Sequence, residues 1–317
     1  MQFTPGYLFE IFKLWNITTE SSVIELESGV RIENDARFTG TPKDFPNNWS
    51  GFDQGNPNFS LIGLRDRLIQ SPIAIGVTYP AQLHEKDPFS APDCSYVAMA
   101  LALLSDHNLA VGIEAFNNGM GSGITSMGPW CSFFWGPNPG TFALTATSES
   151  RLKEFYVFVR DALRPQGDER LRKLLFFCFG AIVQPPSDNS LRVLKCGFPS
   201  VFNEVSEIIV NAALFFEHVF SEDSQDVRSG VQTWNAMYSV SLTYDDIELV
   251  MCARHCIVHD NATRAKAHLE TYRVSAGLPD QFRLFQRIKD LAVASVKTVA
   301  RAIATDVNAY RVFRSRL

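Results

Sequence analysis

The strongest constraint in this 317-residue chain is a change of period near residue 150. Beyond it, apolar side chains recur every three or four positions, as an amphipathic helix requires, and breakers close each run. ESRLKEFYVFVRDAL sets Leu152, Phe155, Phe158, Val159 and Leu163 at helical spacing before RPQGD interrupts it. DERLRKLLFFCFGAIV predicts a second helix, ended by QPPSDNS. FNEVSEIIVNAALFFEHVF predicts a third, with Val205, Ile208, Ile209, Ala212, Phe216 and Val219 on one side. Residues 229–240 predict a fourth. Thr243 is placed to cap a fifth, TYDDIELVMCARHCIVH, whose first turn holds acids that suit a helix N-terminus. The last long helix, about 280–306, carries Leu284, Phe285, Ile288, Leu291, Ala292, Ser295, Val296, Val299 and Ile303 on one stripe. Arg283, Arg287, Asp290, Lys297 and Arg301 fall on another face. Residues 151–317 therefore predict an all-α antiparallel bundle.

Residues 1–150 read differently, and the expected fold class is α+β: a mixed α/β or β-rich N-terminal domain followed by that bundle. VIELESGVRI alternates in places and predicts a strand or hairpin arm, and SPIAIGVTYP predicts a strand. SYVAMALALLSDHNLAVGIEAF predicts a buried helix and then a strand. Residues 38–60 are rich in Gly, Pro, Asn and Asp and predict loops. NNGMGSGITSMGPWCSFFWGPNPG has no GKS or GKT, which excludes a phosphate-binding P-loop, and its aromatics predict turns around core rings rather than a base-stacking platform.

Hydrophobic residues make up 46% of the chain, enough for a packed core, and the mean hydropathy of -0.03 with no long uncharged apolar run argues against a membrane span. The opening MQFTPGYLFEIFKLWN carries Glu10 and aromatics where a signal peptide would need a clean apolar run, so a cytoplasmic protein is expected. None of Cys94, Cys131, Cys178, Cys196, Cys252 and Cys256 forms a CxxC pair, which excludes a zinc ribbon and leaves buried free thiols. The net charge of -5 hides an asymmetry: from Asn261 onward eleven Lys and Arg face four acids, a balance of +7 that leaves -12 on the remaining 260 residues. A basic end on an acidic protein suits a phosphate-bearing partner, and Arg264, Lys266, Arg283 and Arg287 are its candidate contacts.

One segment, ELVMCARHCIVHDNATR (248–264), concentrates chemistry. On a helix, Ile247, Met251, Arg254 and Val258 share a face that is apolar except for the arginine. A guanidinium among aliphatics is costly to bury unpaired, so it must meet an acid, a phosphate or a polar interface. Glu217, near the apolar side of its own helix, is the candidate acid. A second stripe, Asp245, Glu248, Cys252, His255 and His259, is polar and holds two histidines one turn apart.

Arg254, the polar His255, three further residues, and His259 followed by Asp260 and Asn261 resemble the R-polar-x3-H motif of the HEPN superfamily. The upstream AALFFEHVF is similar to the helix that carries an "alE-l" pattern in some of its families. The resemblance spans roughly residues 168–308. It implies a metal-independent endoribonuclease working as a homodimer, without cofactor or metal, in prokaryotic defence or as a toxin. His259 would then be the general base for a ribose 2'-hydroxyl, a task that an imidazole titrating near neutrality suits. Arg254 would stabilise charge on the phosphate, for which its planar fork is better suited than lysine. His255 would orient the pair or contact the phosphate. Glu217, Asp260 and Asn261 would support them. RNA is the implied partner, with an activating ligand or protein at the N-terminal domain.

Two other readings compete. The same fold could serve as a non-catalytic module binding nucleic acid, a nucleotide or a protein. Glu248, Cys252, His255 and His259 could also gather a metal. The catalytic reading carries a geometric difficulty, because five residues at about 100° each set Arg254 and His259 roughly 140° apart on a straight helix.

Overall fold

Within the segment read above only as unlike a signal peptide, Tyr7–Trp15 is a middle strand of a sheet. The computed structural model describes residues 7–15, 17–34, 73–80, 94–106, 109–117, 122–124, 132–134, 141–164, 166–184, 200–221, 226–259 and 262–317. The chain divides into two compact units, Met1–Phe134 with Asn138–Gly167, and Trp135–Pro137 with Asp168–Leu317.

The first unit is α+β. In it β1 (Tyr7–Trp15) pairs antiparallel with β5 (Ile73–Pro80) on one side and β6 (Leu109–Asn117) on the other. The sheet continues from β5 through β4 (Val30–Asn34) to β3 (Val23–Glu27), and β6 also pairs with β7 (Ser122–Ile124) and β8 (Ser132–Phe134). Two further strands, β2 (Ile17–Thr19) and β9 (Phe142–Leu144), pair in parallel. The expected hairpin is β3–β4, whose tight turn uses the positive φ of Gly29, a conformation that a side chain would strain. Ile73, Ala74, Ile75 and Val77 of β5 are all buried, so this strand is covered on both faces and reads as an apolar run. The expected helix and strand around residue 100 are α1 (Cys94–Leu104) and β6. The loop expected at 38–60 lies outside the described residues, as does most of the aromatic, Gly- and Pro-rich stretch that follows β6.

The boundary expected at residue 150 lies instead between Gly167 and Asp168. Helix α2 (Ala146–Leu163), assigned by its period to the bundle, belongs to the first unit, where it packs on α1 and the sheet. Its apolar stripe of Leu152, Phe155, Phe158 and Val159 could serve any core; polar partners decide which. The buried Tyr156 donates its hydroxyl to Glu27 Oε1 at 2.5 Å, Arg160 pairs with the other oxygen of Glu27, and Ser21 donates to Glu149 at 2.6 Å.

The second unit is helical. Helices α3 (Glu169–Ile182), α4 (Ser200–Phe220), α5 (Val227–Met237), α6 (Tyr244–Val258) and α8 (Gln281–Thr305) fall where the period predicts. Between the last two lies α7 (Thr263–Ser275), and a short α9 (Val307–Arg314) follows α8. At the centre α4 packs against α3, α5, α6 and α8. Its end is fixed by an aromatic cluster in which Trp234 meets Phe220 edge-on at 5.6 Å and Phe313 at 5.4 Å. Gly230 lets α5 press on that end: a Cβ there would stand 1.9 Å from the Phe220 carbonyl oxygen. Arg314, only 6% exposed, donates from Nη1 to the carbonyls of Val219 and Ser221, both at 2.9 Å.

One expectation for α8 is corrected. Lys297, placed on the polar face, is 3% exposed, and Lys289 is buried with it beside Asp290. The helix packs on α3, α4 and α6 together, so its buried face is wider than a single apolar stripe. Among the described residues Cys94 and Cys178 are buried free thiols, whereas Cys252 and Cys256 are half-buried. Cys131 and Cys196 lie outside the described residues. No helix among the described residues is long and apolar enough to cross a membrane.

Candidate functional site

Helix α6 carries the candidate site at its C-terminal end. Asp245 and Asp246 occupy the first turn, where the partial positive charge of the helix favours acids. Thr243 stands at the N-cap as expected but makes no side-chain cap hydrogen bond. From there the helix anchors itself through Ile247, Leu249, Val250 and Ala253, all buried. Burial declines along the Arg254 face, from Ile247 at 1% exposed to Val258 at 52%. The predicted polar stripe faces solvent: Asp245, His255 and His259 are exposed, and Glu248 and Cys252 half-buried.

The helix stops at Val258, and His259 leaves it with extended backbone, φ -126° and ψ 123°, while its N–H still donates to the His255 carbonyl at 3.0 Å. That departure bears on the expected 140° offset. His259 is no longer bound to the azimuth of a straight helix, and its ring centre lies 4.7 Å from that of His255 with the planes tilted by 52°.

Arg254 is brought to Glu217 on α4, as the burial argument required, but loosely. Nη1 and Oε1 are 4.0 Å apart, an ion pair without a hydrogen bond, with both side chains about one-third exposed. The Arg254 Nε is sealed from solvent and has no hydrogen-bond partner among the described residues. No hydrogen bond or ion pair among the described residues joins Arg254 to either histidine. Arg254 is thus paired with Glu217, while His255 and His259 neighbour each other. Asp260 and Asn261 lie outside the described residues.

The proposed metal set does not assemble. Among the described residues no group of three or more His, Cys, Asp or Glu could hold an ion. Glu248 is taken by Arg228, at 4.0 Å, whose guanidinium also covers the Tyr244 ring at 4.4 Å. Burial raises both the Cys252 and Cys256 thiols above their ordinary pKa, with Arg264 opposing the shift at Cys252 and Lys266 at Cys256. Those opposing effects place the opening of α7 within electrostatic reach of the last two turns of α6. Arg264 and Lys266 are exposed there. Arg283 and Arg287 are exposed on the first turns of α8, with no bond to Arg254, His255 or His259. Elsewhere in the basic tail, Arg273 grips both oxygens of Glu270, at 2.6 and 2.9 Å.

Two neighbours of the site were not foreseen. His218, next to Glu217, bonds through Nε2 to the Arg170 carbonyl at 3.0 Å, and burial holds its pKa below the ordinary range. Arg314 bonds to the turn of α4 that follows Glu217. The histidine had no motif to mark it, and the arginine was counted only as tail charge. No protein-family model, curated protein or solved structure matches the chain.

Proposed function

We propose that the helical unit is a HEPN-like metal-independent endoribonuclease acting as a homodimer, with a role in prokaryotic defence or as a toxin. The observation that carries this reading is the pair of exposed imidazoles, 4.7 Å apart, on the turn that follows Arg254. General acid and base must both be within reach of one ribose–phosphate unit, and two adjacent solvent-facing imidazoles meet that requirement. The exposed end of α6, with Val258 half open to solvent beside them, suits a second copy of the chain.

In this reading His259 takes the proton from a ribose 2'-hydroxyl. The 2'-oxygen attacks the adjacent phosphorus, and the bond from phosphorus to the 5'-oxygen breaks. That oxygen leaves with a proton supplied by an imidazole, either His255 or its counterpart in the second copy. The products are a 2',3'-cyclic phosphate and a 5'-hydroxyl. Arg254 exchanges its loose contact with Glu217 for the phosphate oxygens, on which negative charge grows. Glu217 keeps the guanidinium in range before substrate arrives. Arg264 and Lys266 hold flanking phosphates, and Arg283 and Arg287 extend the contact along α8. The first unit positions RNA or receives the activating ligand or protein.

The test is labelled RNA incubated in EDTA with the wild-type protein and with Arg254→Ala and His259→Ala. Cleavage leaving cyclic phosphate ends, lost in both variants and blocked by a single deoxyribose at the cut position, is the expected result. Cleavage that survives both substitutions places the activity elsewhere. RNA binding without cleavage on varied substrates turns the protein into a HEPN-like binding module.

A further inference from the structure

We infer that His255 and His259 form a chelating site for a transition-metal ion of the zinc or nickel type, one ion per chain. The two rings are exposed, and among the described residues neither makes a hydrogen bond or an ion pair. Their separation is what a shared ion requires. With metal–nitrogen bonds of about 2.1 Å and a ring centre roughly 1.1 Å beyond each nitrogen, an angle of about 90–110° at the metal sets the centroids about 4.5–5.2 Å apart. The observed 4.7 Å falls inside that interval. His259 follows the helix with extended backbone, so its side chain is not held to the helical azimuth.

The donor type selects the ion. Neutral imidazoles suit zinc, copper and nickel, whereas magnesium and calcium take oxygen ligands. Glu248, the nearest carboxylate on the same stripe, is engaged by Arg228. The ion would thus be held by two protein ligands and water, an exchangeable site rather than a structural one.

One consequence rests on the nuclease reading: an imidazole nitrogen bound to metal cannot accept the 2'-hydroxyl proton. Zinc then inhibits cleavage, and EDTA raises it.

Calorimetric titration of the full-length protein with zinc chloride and nickel chloride, without RNA, tests the site directly. Saturation at one ion per chain is expected, with affinity lowered about tenfold or more in His255→Ala and in His259→Ala. The Cys252→Ser/Cys256→Ser double variant should keep it. Both histidines are exposed, so the variants fold, and far-ultraviolet circular dichroism checks that they do. Uptake unchanged in the histidine variants, lost in the cysteine variant, or never saturable overturns the inference. Metal uptake by a protein that never cuts RNA leaves the chelate standing and removes the nuclease; cleavage without uptake does the reverse.

Discussion

Two helices of the same unit end in opposite ways. The last turn of α4 is closed. Arg314 fills its terminal carbonyls, Trp234 and Phe313 pack around Phe220, and Gly230 brings α5 against the backbone. The last turn of α6 is open. It ends on a histidine in extended conformation, its two imidazoles face solvent, and no side chain caps it among the described residues. The arginines near the two ends differ in the same sense. Arg314 is spent on carbonyls inside the protein, whereas Arg254 keeps a 4.0 Å contact with Glu217 that a better ligand can displace. The arginine bonded to buried carbonyls serves the fold, and the one held loosely near a surface is where chemistry is to be sought.

The contrast can be broken by substitution. The largest effect is expected at the open end: His259→Ala should lower RNA cleavage about 10²- to 10⁴-fold. The same change should move the urea unfolding free energy by no more than about 0.5 kcal/mol, since the ring is exposed. At the closed end the pattern reverses. Arg314→Ala leaves the Val219 and Ser221 carbonyls without their charged donor and should cost about 3 kcal/mol of stability, read from the same urea titration. Gly230→Ala should cost about 1–3 kcal/mol, because the added methyl meets backbone rather than a movable side chain. That loss outweighs the gain of about 1 kcal/mol in helix propensity, and thermal unfolding will show its sign.

The smallest effect is a pH dependence between the two ends. Burial is the main cause that holds His218 below its ordinary 6.5, with Arg314, Arg170 and Lys173 adding to it against a backbone hydrogen bond. The folded protein therefore binds this proton more weakly than the unfolded chain does. The resulting stability is present above about pH 6.5 and is lost as pH falls through the lowered value. Thermal midpoints measured downward from pH 7 should decline, and His218→Gln should flatten part of that decline. An unaltered slope in the variant would assign the acid sensitivity to carboxylates.

The bundle helices were legible because each buries one stripe, and a stripe is a local property of sequence. The first strand was not: YLFEIFKLW shows no regular alternation, and only its neighbours β5 and β6 make it a strand. The domain boundary was misplaced for a related reason. A helical period says that α2 buries a face but not against which core, and Glu27, more than a hundred positions away, supplies the partners of Tyr156 and Arg160. At the site, the two histidines could be paired from their spacing, and Glu217 could be named from the cost of burying Arg254. The extended backbone of His259 could not, since it depends on how the chain turns at the cap. Arg314 was hidden by distance, bonding to carbonyls more than ninety residues earlier.

The two lysines sunk into α8 bear on how this protein would meet a polyanion. The last 57 residues hold eleven Lys and Arg, yet Lys289, Lys297 and Arg314 are shut inside and Arg273 is neutralised by Glu270. Each phosphate contact releases condensed counterions, and only cations that reach the nucleic acid take part. The dependence of binding on salt should therefore be shallower than a count of the tail's cations suggests, because an oligonucleotide samples a surface and not an inventory.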